Sequence, residues 1–177
     1  AQAVVDEIVA AGGKAAVNGS DITNYNDSLN AVKQAIDEFG DLHIVLNNAG
    51  INRDRMFASM TEEEWDAIMA VHLKGHFCIS SHAVHYWRGR TKEGAEVDAR
   101  IINTTSGAGL QGSVGQSNYA AAKAGIAALT LNQAAELGRY GVTANAICPA
   151  ARTGMTTAVP EMAERMKKPD DGSFDYW

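Results

Sequence analysis

The sequence predicts an α/β protein: a doubly wound parallel sheet with helices on both faces. Three observations lead there. Short apolar runs of strand length alternate with longer segments whose apolar residues recur at helical spacing. Polar clusters (Asn47-Asn48, Ser106 and the residues after Pro149) follow these runs, at the strand carboxyl ends where such sheets bind ligands. Finally, 46% of the 177 residues are hydrophobic, which is enough to bury a core of about one domain. The chain is accordingly read as a single domain, 1–177.

The elements follow in order. Val4, Val5, Ile8 and Val9 make a helix over 3–11, stopped by Gly12-Gly13. Residues 14–18 read as a short extended strand. Asn26 or Asp27 can cap a second helix carrying Leu29, Val32, Ile36 and Phe39, with Gly40 as its stop. A strand over 43–46 runs into Asn47-Asn48-Ala49-Gly50. Thr61 followed three residues later by Glu64 is a capping box, and it opens a long helix to about residue 87. Residues 88–99 are polar and read as a surface loop. A strand over 100–104 leads to the Gly- and Ser-rich stretch 106–117, and a helix follows over about 118–139. The strand 142–148 is stopped by Pro149, and a short helix begins at Pro160.

Charge and composition exclude several function classes. Fifteen Lys and Arg against 21 Asp and Glu give a net charge of −6 with no basic run, which argues against a nucleic-acid surface. The apolar stretches fall short of the ~20 residues of a membrane helix, and no signal segment opens the chain. Cys78 and Cys148 are too few for a disulfide frame or a zinc site and are expected as buried free thiols. No metal site is expected. The profile is that of a reduced, cytoplasmic protein.

The chemistry centres on Ser106, Tyr119 and Lys123. Tyr119 and Lys123 stand four apart and share a helix face. A phenol titrates near ~10, and an ammonium beside it stabilises the phenolate and brings that value down. Ser106, just past the strand that feeds the helix, can hold a substrate oxygen while Tyr119 moves the proton. This is equipment for oxidising an alcohol or reducing a ketone with a separate hydride carrier. A Tyr-x-x-x-Lys pair alone is also what a half-buried tyrosine beside a solvated lysine gives.

With its surroundings the pattern resembles the short-chain dehydrogenases/reductases, over nearly all of the chain. Asn47-Asn48-Ala49-Gly50 matches the segment after that family's fourth strand. Ile101-Ile102-Asn103-Thr104-Thr105-Ser106 matches the fifth strand with its serine, and residues 115–125 match the active-site helix almost letter for letter. Asn145-Ala146-Ile147-Cys148-Pro149 is similar to the sixth strand and its turn. The resemblance implies a Rossmann-like sheet lacking its first two strands and its last. It implies Tyr119 as proton donor or acceptor, Lys123 as the residue that acidifies it and binds the nicotinamide ribose, and Ser106 as the residue that orients the substrate carbonyl. It places Asp21 near the adenine, Asn47, Ala49 and Gly50 in support of sheet and cofactor, Thr153 at the carboxamide, and Gln116 and Met155 beside the substrate. Residues 150–170 become a substrate lid. The implied cofactor is NAD or NADP, the substrate a small molecule, and the assembly a homodimer or homotetramer through the long helix and the active-site helix.

Two departures matter. The family carries Asn in a V-N-L-x-G context of the long helix, where this chain has Val71-His72-Leu73-Lys74-Gly75. His72 can relay a proton, since imidazole both donates and accepts, or it can be a packed structural histidine. Val-His-Leu-Lys-Gly and Ala-Arg-Thr-Gly-Met-Thr are similar to the (3R)-hydroxyacyl-CoA dehydrogenase units of multifunctional β-oxidation enzymes, and the wider pattern to 3-oxoacyl-carrier-protein reductases. The second departure is that no glycine-rich turn between a strand and a helix is present to meet a pyrophosphate. The chain is therefore expected to be a piece of a longer protein, and the alternative is a catalytically incompetent scaffold. Met155, Met162 and Met166 can floor an acyl pocket or simply pack a short helix.

Overall fold

The computed structural model describes residues 1–152, 157, 163–164 and 166–174. Its helices are α1 (Gln2–Ala10), α2 (Tyr25–Phe39), α3 (Glu62–Ile68), α4 (Gly75–Lys92), α5 (Gly107–Gln111) and α6 (Ser117–Leu137). Its strands are β1 (Ile44–Asn47), β2 (Ala99–Thr104) and β3 (Val142–Ile147). The strands form one parallel sheet in the order β1-β2-β3, with Val45 opposite Ile101 and Ile101 opposite Ala144. The parallel α/β fold is as the sequence predicts.

Burial alternates along the strands, so one sheet face makes the core. Val45, Ala99, Ile101, Val142 and Ala144 meet Val32 of α2, Ala83 and Trp87 of α4 and Leu137 of α6. Trp87 is 1% exposed, and its indole N–H donates to the Leu42 carbonyl at 2.6 Å, so the largest core side chain buries no unpaired polar atom. Ile44 and Leu46, on the other face, stay 57% and 58% exposed. Among the described residues the helices thus cover one face, and α1 buries none of its residues.

Local signals hold where they are local. The Thr61–Glu64 capping box is complete in both directions. Helix α2 ends at Gly40, whose φ of +87° is the left-handed stop. Its cap, however, is Asn24, which accepts from the Asp27 N–H, and not Asn26 or Asp27, so the helix starts earlier than expected. The long helix runs to Lys92, because Trp87 and the Thr91 hydroxyl anchor its last turns. The loop therefore begins at Glu93. Residues 14–18 form no strand: the Val17 carbonyl and the Asn18 amide are both taken up by the Gln34 side chain on α2. Gly107–Gln111 is helical because the Ser106 hydroxyl caps it.

Between α3 and α4 the helix widens into a π-helical stretch, Met69–Lys74. Such bulges re-aim side chains and occur frequently at functional sites. This one carries His72 inward, to 1% exposure.

Candidate active site

The carboxyl end of the sheet gathers the predicted residues by way of β2. Thr104, Thr105 and Ser106 run in sequence off that strand. The Lys123 ammonium donates to the Thr104 carbonyl at 2.6 Å, and the Thr105 hydroxyl donates to the Lys123 carbonyl at 2.8 Å. The strand end is thereby fastened to α6 from both sides. Helix α5 closes on α6 at Gly109, where a Cβ would lie 2.6 Å from the Ala124 backbone nitrogen.

Lys123 is only 3% exposed, and burial lowers its ammonium to about 8. Its Nζ lies 5.5 Å from the centroid of the Tyr119 ring. The His72 ring meets that tyrosine edge-on, with centroids 5.1 Å apart and planes at 90°. Tyr119, Lys123 and His72 therefore share one pocket wall. Ser106 is partly buried, two residues beyond the Lys123 acceptor, and its Oγ accepts from the Ala108 N–H at 3.3 Å.

His72 Nε2 faces both backbone groups of Ile51, the carbonyl at 2.8 Å and the N–H at 3.2 Å. A single ring nitrogen satisfies only one of them at a time, so the contact suits either tautomer. Its Nδ1 is buried with no protein partner. Desolvation holds the imidazole below its ordinary value, opposed by the Ile51 contact and reinforced by the Lys123 charge. The ring turns its Cε1 edge toward Gly50, where an added Cβ would stand 2.6 Å from Cε1.

The other predicted residues separate into groups. Asn47 is spent on the framework: its amide donates to Ser80 Oγ and to Asn103 Oδ1, both at 2.9 Å. Ala49 and Gly50 are exposed beside it. The Asp21 carboxylate accepts from the Thr23 N–H and hydroxyl, which lower its pKa. Gln116 reaches Asp54 at 3.0 Å, tying residues 54–55 to the start of α6. Thr153, Met155, Pro160 and Met162 lie outside the described residues. Met166 is 2% exposed, and its carbonyl accepts from the Arg152 guanidinium. Cys78 is buried, but Cys148 is exposed, contrary to expectation, because it follows the last residue of β3, beyond the covered part of the strand.

The sequence reading passed over Asn118. Fully buried, it donates to the Arg53 and Glu64 carbonyls at 3.0 and 3.2 Å, and its Oδ1 accepts from the Tyr119 N–H at 2.8 Å. It thus clasps three segments around the tyrosine. The one available signal was an Asn directly before that tyrosine.

Known proteins resemble this chain in sequence and in fold. The family model described as short chain dehydrogenase matches residues 1–164. The hydroxyacyl-CoA dehydrogenase ChsB1 of Mycobacterium tuberculosis is 55% identical over 162 residues, covering 88% of this chain and 51% of the relative. The 3-oxoacyl-[acyl-carrier-protein] reductase of Synechocystis is 40% identical over 149 residues, 84% of this chain and 58% of the relative. A short chain dehydrogenase from Mycobacterium avium superposes with a TM-score of 0.85 at 62% identity, over 88% of this chain and 53% of that one. The chain therefore spans a little over half the length of these relatives.

Proposed function

The chain belongs to the short-chain dehydrogenase family, and on that premise we propose that it carries the proton-transfer half of an NAD(P)-dependent oxidoreductase interconverting a secondary alcohol and a ketone. The substrate class is a 3-hydroxyacyl or 3-oxoacyl thioester, a reading supported by the names of the two relatives above. The observation that carries it is the buried Lys123 ammonium, one helical turn from Tyr119.

Below its value of about 8 the Lys123 ammonium is charged, and it stands 5.5 Å from the Tyr119 ring centroid, a positive charge beside the phenol that exchanges the proton. Tyr119 then takes the hydroxyl proton of the alcohol, or in the reverse direction gives one to the ketone oxygen. The Ser106 hydroxyl accepts from Ala108 and keeps its own proton to donate to the substrate oxygen. His72 presents a free Nδ1 beside the pair and can pass a proton on.

The residues present fit the nicotinamide end of the cofactor. An ammonium has three N–H groups, and the Thr104 carbonyl is the acceptor found for Lys123 among the described residues. Buried donors left over suit the hydroxyls of a ribose, with the exposed backbone of Ala49 and Gly50 alongside. When bound, the nicotinamide group exchanges the hydride; the protein supplies the proton, the orientation and the dry wall.

The test is Tyr119→Phe in the full-length enzyme with a 3-hydroxyacyl thioester. Loss of the phenolic proton should lower turnover by ~10²–10⁴, and near-normal turnover would reject the assignment. The same reading makes the protein a homodimer or homotetramer through α4 and α6. Phe77, 50% exposed, stands with Met69, Leu73 and Leu129 around an apolar hollow on that side and supports this.

A further inference from the structure

Tyr119 is the third residue of α6, which begins at Ser117. The first backbone N–H groups of a helix have no partner inside it, and the side chain of the capping residue ordinarily accepts one of them. Gln116 stands at the cap position and makes no such bond; its side chain goes to Asp54 instead. The helical ladder opens with the Ala120 N–H on the Gln116 carbonyl at 2.7 Å, one residue past Tyr119. The residue that exchanges the proton therefore sits in a turn that its own helix leaves free to fray.

Asn118 supplies what the cap does not. Its Oδ1 accepts from the Tyr119 N–H at 2.8 Å, and its amide nitrogen donates to the Arg53 carbonyl at 3.0 Å and the Glu64 carbonyl at 3.2 Å. An amide nitrogen has two N–H groups, one for each carbonyl, and the reverse orientation would set oxygen against both. The side chain is fully buried, where solvent does not make good a lost bond. The carbonyls belong to different segments: Glu64 lies in α3, and Arg53 between β1 and α3. The second segment also holds His72, through Ile51 two residues earlier. The His72 ring in turn meets the Tyr119 ring edge-on. The backbone of Tyr119 and the wall against its ring are thus both fastened to residues 51–53.

We propose that Asn118 is a positioning residue of the reaction: it replaces the missing cap of α6 and ties the turn of Tyr119 to the segment that holds His72. The proposal rests on the dehydrogenase reading above and deepens it. The hydrogen-bond partners of Asn118 are all backbone groups, so it acts through the tyrosine and not on the substrate. Lys123, one turn further along α6, is fixed separately on the Thr104 carbonyl, and His72 on Ile51. Without Asn118 both of these stay in place while the turn that carries the phenol shifts between them. A misplacement of about 1 Å can cost a factor of about 10² in rate.

The experiment uses Asn118→Ala and Asn118→Leu in the full-length enzyme with a 3-hydroxyacyl thioester. Leucine is close to asparagine in shape and has no hydrogen bond to give. Positioning expects kcat to fall by about tenfold or more in both variants, with KM held within about twofold. A leucine variant with near-normal kcat shows that only filled space was needed and overturns the proposal, as does a loss confined to KM. Hydrogen exchange gives a readout that needs no turnover. With nitrogen-15 on tyrosine, the wild-type Tyr119 N–H should exchange at least about a hundredfold more slowly than in an unstructured peptide. Exchange at the free-peptide rate overturns the proposal, even if neither variant folds. In Asn118→Leu that protection should vanish while the amides of residues 124–137 keep theirs; an equal loss along the whole helix means general destabilisation and overturns it too. Tyr119→Phe keeps the N–H and its clasp, so failure here leaves the Tyr119→Phe loss intact. An unchanged Tyr119→Phe enzyme sinks the dehydrogenase reading and the kinetic role of Asn118 with it.

Discussion

Replacing Lys123 with methionine should expose the energetic cost of the buried ammonium. The side chain is 3% exposed and titrates at about 8 instead of 10.5. At about 1.36 kcal/mol per pH unit, that difference is about 3 kcal/mol of disfavoured charge. The sign follows from proton counting. Between pH 8 and pH 10.5 the unfolded chain holds the lysine proton and the folded chain has lost it, so wild-type stability rises with pH across that window. Lys123→Met has no such proton and lacks this slope. It also leaves the Thr104 carbonyl unpaired, at about 1–3 kcal/mol. The two effects roughly offset at pH 7, and the variant becomes the less stable protein toward pH 10.5. Urea unfolding of both proteins at half-unit steps from pH 7 to 10.5 reads the difference directly, with all other titrations cancelling. A difference that stays flat with pH would refute the reasoning, because it would mean that the ammonium keeps its water in the folded state. Turnover of Lys123→Met should fall along with that of Tyr119→Phe, separating the residue's chemical value from its structural cost.

Other outcomes follow from the same contacts. Gly109→Ala places a Cβ 2.6–2.8 Å from the backbone and Cβ of Lys123 and Ala124, atoms that cannot turn aside, and should cost about 1–3 kcal/mol by denaturant midpoint. Sedimentation of the full-length protein should give a dimer or tetramer, and Phe77→Glu should weaken it; a wild-type monomer at micromolar concentration would rule out the α4–α6 contact.

Much of the site was legible because it is written locally. The Thr61–Glu64 box and the Gly40 stop each depend on residues within one or two turns, and the four-residue step from Tyr119 to Lys123 is the helix repeat itself. Strand placement was also readable, since the apolar runs 43–46, 100–104 and 142–148 overlap β1, β2 and β3 closely. The fate of residues 14–18 was not. An extended segment becomes a strand only where another strand offers its edge, and here Gln34 of α2 takes its polar groups instead.

What the sequence by itself determined is the list of reactive groups and their order along helix and strand, because side-chain identity and helical geometry need no distant partner. Tertiary structure alone decided their chemistry. Lys123 is a weaker base than a free lysine because it is buried at the end of β2, and burial likewise lowers His72 and His76. Asn118 holds Tyr119 through carbonyls 54 and 65 positions away in the chain. Desolvation and long-range hydrogen bonding depend on which segments meet, and that is settled only when the whole core packs.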